Sequence, residues 1–165
     1  MSSPPKLVTL LPSTDCDLGR WLLEWYGIDY VESPHAPICH VIALKYHGYG
    51  KDAYPLLLTP KGNFPGVTPM VSRFDVDAAA GRKLLPDDPD LEREVRQDAD
   101  YYRLTMGGGV VNWAYWHFLP HKWMNWPSFT TGVPWFEKLF VLFGYSILKS
   151  LMTKGIGLSD KNAAA

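Results

Sequence analysis

Two side chains able to take part in chemistry, the hydroxyl of Ser13 and the thiol of Cys16, stand just after a short apolar run, Leu7-Val8-Thr9-Leu10-Leu11, and Pro12. Beyond them Leu18, Trp21, Leu22 and Trp25 recur at helical spacing, so Ser13 falls where a buried strand ends and a helix begins. A hydroxyl at that place and the first backbone N–H groups of the helix point at one bound anion. The same serine reads equally as a plain N-cap, with Thr14 and Asp15 as alternative caps. Cys16 reads either as a buried structural cysteine or as a monothiol nucleophile that forms a mixed disulfide. Dithiol redox chemistry is not expected, because Ser13 occupies the first position of what would be a Cys-x-x-Cys pair.

Other candidates are weaker. Pro55 follows Tyr54 directly before an apolar run, a place where proline is tolerated when its peptide is cis or when a strand starts there. Thr68-Pro69 has the form of a helix start, with a hydroxyl cap and proline at the first helical position. His35, His40 and His47 fit no compact metal motif and read as loop or surface histidines. His117 and His121 are separated by Pro120 and lack the glutamate of a His-Glu-x-x-His site. Gly107-Gly108-Gly109 lacks the lysine and hydroxyl ending of a phosphate loop and reads as a flexible break between helices.

The elements that must position these residues can be read along the chain. The opening is strand, helix, strand: Leu7–Leu11, a helix stopped by Gly27, and Ile28–Glu32, whose crossover predicts a parallel pair. A short helix around Val41–Lys45 lies between loops. A hairpin follows, from Tyr54–Leu58 through Thr59-Pro60-Lys61-Gly62 to Asn63-Phe64, then a helix from Thr68 with Met70, Val71 and Phe74 on its apolar face. Leu84–Pro89 is a proline and acid linker, and a charged helix starts at Leu91. Helices over Val110–Leu119 and Pro134–Lys154, the latter ended by Gly155, flank an aromatic loop from Pro120 to Val133. Asp160–Ala165 has the form of a helix opening that stops short, so the chain is expected to be a fragment.

Composition removes several function classes. The 165 residues suffice for one packed core, or for one domain and part of another. Sixteen Lys and Arg against seventeen Asp and Glu build no broad positive surface, so nucleic acid is not an expected partner. Two cysteines make no multi-disulfide scaffold, which points to a reducing, cytoplasmic compartment. The early apolar run is broken by Pro12 and is too short for a signal-peptide core. Leu139–Leu148 is closed by Lys149, well short of the roughly 20 residues of a spanning helix.

The order strand, Ser13-Thr14-Asp15-Cys16, helix with Arg20 and then Gly27-Ile28, strand, Tyr54-Pro55, hairpin, helix and linker resembles the glutathione S-transferases. Pro34-His35-Ala36-Pro37 with His40, Trp113-Ala114-Tyr115, Leu119-Pro120-His121 and Gly132-Val133-Pro134 are similar to a bacterial transferase-like subfamily. The resemblance implies an α/β thioredoxin-like glutathione-binding domain over 1–83, a linker over 84–90 and a partial, all-α helical domain over 91–165. It implies glutathione as co-substrate and Ser13 as the residue that stabilises its thiolate, with Cys16 the other catalytic candidate. Tyr54 and Pro55, the family's cis-proline, would pair with the cysteinyl part of glutathione, and Val67 and Thr68 fall where its γ-glutamyl carboxylate is held. The chain departs from the family at Gly66-Val67, where an acidic or amide residue and a serine are usual, and Thr68 is the substitute hydroxyl.

Two functions follow. One is conjugation or thiol transfer from glutathione to a small apolar electrophile, in a chain that can form a homodimer. The other is a non-catalytic transferase-like module that binds a protein partner through the aromatic second half, which holds Trp113, Trp116, Trp123, Trp126 and Trp135. Those aromatics also read as core or as the lining of an apolar substrate pocket. Attachment of Pro134–Lys154 to a membrane surface is a weaker third reading.

Overall fold

The computed structural model describes residues 4–79 and 81–159. Lys6–Leu10 forms the first strand, β1, and Leu7, Val8 and Thr9 are all buried, as a strand covered on both faces requires. Helix α1 spans Thr14–Tyr26 and is stopped by Gly27, whose φ of 68° is the left-handed conformation that glycine adopts without steric cost. Its Ile28 N–H returns to the Leu23 carbonyl at 2.8 Å, so residues 27 and 28 close the helix instead of opening a strand. Strand β2 therefore runs over Val31–His35, three residues later than the alternation at Ile28–Glu32 suggests. It pairs parallel with β1 in the register Leu7 opposite Glu32. Pro34 is tolerated inside it because β2 is an edge strand.

Helix α2 covers Cys39–Tyr46, longer than the expected Val41–Lys45. Strands β3, Leu56–Thr59, and β4, Gly62–Pro65, make the expected hairpin. Antiparallel pairing of β1 with β3 completes a four-stranded mixed sheet in the order β2-β1-β3-β4. Helix α3 spans Val67–Phe74. Successive strand residues serve opposite faces. Leu7 and Leu57 pack with Leu23 of α1 and Met70 of α3, while Val8 and Leu56 pack with Leu44 of α2. Each fully buried leucine contributes roughly 2 kcal/mol to holding the layers together. This helix-covered mixed sheet is compatible with a thioredoxin-like α/β fold.

The second half is helical but differs from its sequence reading in three places. Helix α4, Pro89–Tyr101, starts at Asp88, whose carboxylate accepts from the N–H groups of Asp90 and Leu91 at 2.9 and 3.1 Å. It continues through a π-helical turn, Tyr102–Met106, into α5, Gly107–Phe118. Gly107 has φ −61° and ψ −40°, so the glycine triplet is helix and not a flexible break. Helix α6, Lys122–Thr130, occupies the expected aromatic loop and contains Pro127 in its interior. Helix α7, Trp135–Ile156, passes through Gly155 and is capped by Gly157 at φ 72°. At 22 residues it is long and apolar enough by length and composition to cross a membrane, which the shorter expected stretch was not. Its inner face belongs to a protein core, where Val141, Tyr145, Leu148 and Met152 pack with Ala36, Leu119 and Phe129. The helix opening expected at Asp160–Ala165 lies outside the described residues.

Candidate functional site

The start of α1 is built by its cap. Ser13, extended at φ −150° and ψ 127°, accepts the Cys16 N–H on Oγ at 3.3 Å, while its carbonyl accepts the Asp17 N–H at 3.0 Å. Ser13 is thus an N-cap, and the cap uses its oxygen only as an acceptor. The hydroxyl proton and the N–H groups of Thr14 and Asp15 have no partner among the described residues. Being cap and being donor to an anion are therefore compatible, since a hydroxyl both accepts and donates.

Tyr54-Pro55 lies beside this terminus. The Tyr54–Pro55 peptide is cis, as is Leu11–Pro12 ahead of Ser13. Pro55 is buried against α1, close enough that a Cβ on Gly19 would meet its Cγ at 2.7 Å. Its carbonyl accepts the Gly66 N–H at 2.8 Å, which joins it to the start of α3. The backbone N–H and carbonyl of Tyr54 make no hydrogen bond among the described residues, and its ring stands edge-on to His40 at 5.3 Å. Burial, and then the charge of Asp15, push the Tyr54 phenol up.

Helix α3 begins two residues before the position that Thr68-Pro69 suggests. Gly66 is the N-cap, with φ 81° and ψ 171°, and supplies no side-chain cap. Thr68 sits inside the first turn, exposed, and its hydroxyl has no partner among the described residues. Val67 turns its side chain into the core, leaving only its backbone N–H toward the helix end. Ser13, Cys16, Tyr54, Pro55, Val67 and Thr68 are in this way linked through α1, the Pro55 ring and the Pro55–Gly66 hydrogen bond.

Cys16 has a core environment. It is fully buried, and its sulfur accepts the Leu10 N–H at 3.3 Å. Burial pushes its thiol up to about 11, so it is protonated at neutral pH. Cys39 is also raised to about 11 by burial, and both cysteines are free. Arg20, one turn further along α1, is structural: its Nε and Nη2 donate to Glu32 Oε1 at 3.0 and 2.7 Å, and Thr9 donates to the same oxygen at 2.6 Å. Against the upward push of burial, the Arg20 and Thr9 hydrogen bonds hold the Glu32 carboxyl low.

The helical half adds residues that sequence reasoning did not assign to the site. The Tyr115 hydroxyl of α5 donates to the Pro12 carbonyl at 3.1 Å, next to Ser13, and burial pushes its phenol up. Arg103, from the π-helical turn, pairs with Asp15 at 3.3 Å. At the end of β2, Glu137 of α7 is buried and accepts from His35 Nδ1 at 2.6 Å and from the Ala36 N–H at 2.7 Å. His40, expected at the surface, is buried in α2 with Nδ1 unpartnered, and burial lowers its pKa to about 4. No group of three or more His, Cys, Asp or Glu placed to hold a metal occurs among the described residues.

A cavity of about 590 Å³ lies between Pro12, Arg20, Glu32 and Pro34 on one side and Pro127, Thr131 and Gly132 on the other. A larger one, about 920 Å³, lies at the opposite end of α1. Neither is lined by the six candidate residues. No family model and no curated protein matches this chain.

Proposed function

We propose that this chain is a glutathione S-transferase-like protein, with a thioredoxin-like domain over 1–83, a linker over 84–90 and part of a helical domain over 91–165, acting in a reducing, cytoplasmic setting. The observation that carries the reading is the Ser13 hydroxyl, fixed as an acceptor by Cys16 N–H and left with its proton unengaged at a helix N-terminus. That donor, with the Thr14 and Asp15 N–H groups and the positive end of α1, favours a thiolate over a thiol. The unpaired Tyr54 backbone would bond the cysteinyl part of glutathione, and the Thr68 hydroxyl with the Val67 N–H would take the γ-glutamyl carboxylate. The thiolate sulfur then attacks the electrophilic carbon of a small apolar substrate, so that the C–S bond forms as the carbon's bond to its leaving group breaks and that group departs with the electron pair, while the thiol proton passes to water. Conjugation is favoured over thiol transfer through Cys16, because a buried thiol with a pKa of about 11 supplies almost no nucleophile at neutral pH.

Calorimetric titration of glutathione into the unmodified chain, Ser13→Ala and Thr68→Ala tests this. Saturable binding at millimolar ligand, weakened by Thr68→Ala, is expected. Absence of binding would leave the second reading, a non-catalytic module for a protein partner or a second copy. That reading is favoured by the outer face of α7, where Phe136, Leu139, Phe143, Ile147 and Leu151 form one exposed apolar stripe.

A further inference from the structure

The 920 Å³ cavity at the far end of α1 has an apolar wall and a cationic rim. Thirteen residues of helix, about 20 Å at 1.5 Å per residue, separate its Tyr26 and Gly27 from the Ser13 end. Its wall is made by Tyr26, Ile28, Phe64 and Phe74, and the last two rings pack with centroids 5.7 Å apart and planes tilted by 52°. Lys61, from the β3–β4 turn, and Arg82 stand at the rim.

The loop that closes the cavity is tied down. The buried carboxylate of Asp75 accepts from the Tyr26 hydroxyl at 2.9 Å and from the N–H groups of Leu84 and Leu85 at 2.6 and 3.2 Å. Trp25 Nε1 donates to the Arg82 carbonyl at 2.7 Å, and the Arg82 guanidinium donates back to the Trp25 carbonyl while lying over the indole at 5.9 Å. These bonds hold the Arg82 cation in place without giving it a carboxylate. Lys61 bonds through its backbone N–H, to the Thr59 hydroxyl, and its Nζ likewise has no hydrogen-bond or ion-pair partner among the described residues. Of the charged residues lining the cavity, only Arg73 and Asp77 neutralise each other, at 2.5 Å. Two uncompensated cations therefore face an aromatic wall, on a chain whose net charge is −1.

We propose that this cavity binds a small amphipathic monoanion, an aryl or alkyl carboxylate or sulfonate, with its apolar body against Phe64 and Phe74 and its anion at Lys61 and Arg82. The volume lies within the range of small-molecule sites, and a few charged groups on an apolar wall fix orientation. The proposal is independent of the glutathione site, which stands at the other end of α1.

The test titrates the full chain with two fluorescent probes, anilinonaphthalene sulfonate and phenylnaphthylamine, which keeps the aryl body and lacks the anion. The sulfonate is expected to bind saturably at one site and to be displaced by decanoate. Lys61→Glu, on an exposed turn where refolding is not at issue, should weaken the sulfonate about tenfold and leave phenylnaphthylamine unchanged. Phe143→Ser, on the exposed stripe of α7, should change neither. Lack of saturation, equal affinity for both probes, insensitivity to Lys61→Glu, or loss of the sulfonate in Phe143→Ser would each overturn the proposal.

Discussion

Replacing Gly19 by alanine sets two effects of known sign against each other at the point where α1 meets Tyr54-Pro55. In a helix interior, alanine is favoured over glycine by about 1 kcal/mol. At Gly19, however, the new Cβ would lie 2.7 Å from Pro55 Cγ and 3.3 Å from Pro55 Cβ. The proline ring is closed and cannot rotate away, so the helix or the Tyr54-Pro55 segment must shift, at an overpacking cost of about 1–3 kcal/mol. The net expectation is a loss of about 1 kcal/mol. Gly155 of α7 is the control, because nothing lies within 4 Å of its added Cβ. Gly155→Ala should gain about 1 kcal/mol, which separates the two variants by about 2 kcal/mol. Urea unfolding reads this as midpoints displaced in opposite directions at a common slope. The displaced segment carries the Tyr54 backbone, so Gly19→Ala should also weaken glutathione binding, whereas Gly155→Ala should not. A Gly19→Ala chain as stabilised as Gly155→Ala would refute the tight contact and, with it, the positioning of Tyr54 by α1.

Glu137→Leu leaves His35 Nδ1 and the Ala36 N–H without their buried acceptor, and a loss of about 2–4 kcal/mol in urea unfolding is expected; an unchanged midpoint would show that this contact does not hold α7 to the sheet. Burial lowers the His40 pKa to about 4, so the unfolded chain takes up the proton first. Stability should be full above about pH 6.5 and fall as pH drops toward about 4, by at most about 3 kcal/mol. In His40→Phe the unfolding midpoint should lose that part of its acid dependence, and an identical pH profile would contradict the assignment. Cys16 and Cys39, both raised to about 11, should react slowly with an aromatic disulfide in the native chain and rapidly in denaturant. Prompt native labelling of Cys16 would restore it as a nucleophile.

What the sequence disclosed depended on whether the determining forces were local. The serine before α1, its apolar spacing and the glycine after it are signals within one helix, and they placed Ser13 at the cap. The hairpin from Leu56 to Pro65 was legible from its turn residues in the same way. Strand β2 was misplaced because its register is set by β1, not by its own alternation. At α3, Thr68-Pro69 imitates a cap, yet Gly66 in a positive-φ conformation starts the helix two residues earlier. Local breakers misled where neighbouring helix overrode them, as at Gly107–Gly109 and at Pro127 inside α6. The candidate site was legible in its first-half residues only. Tyr115 reaches Pro12 across 103 positions, Arg103 reaches Asp15 across 88, and Glu137 meets His35 across 102, and such contacts leave no spacing to read.

The proposed function requires that the α1 N-terminus stabilise a thiolate. The direct measurement is the ultraviolet thiolate absorbance of bound glutathione as a function of pH, in the unmodified chain and in Ser13→Ala. Bound glutathione should ionise well below the free thiol value of about 8.5. In Ser13→Ala that ionisation should return most of the way toward the free value. A bound thiol that titrates like free glutathione, or one whose titration Ser13→Ala leaves in place, would contradict it.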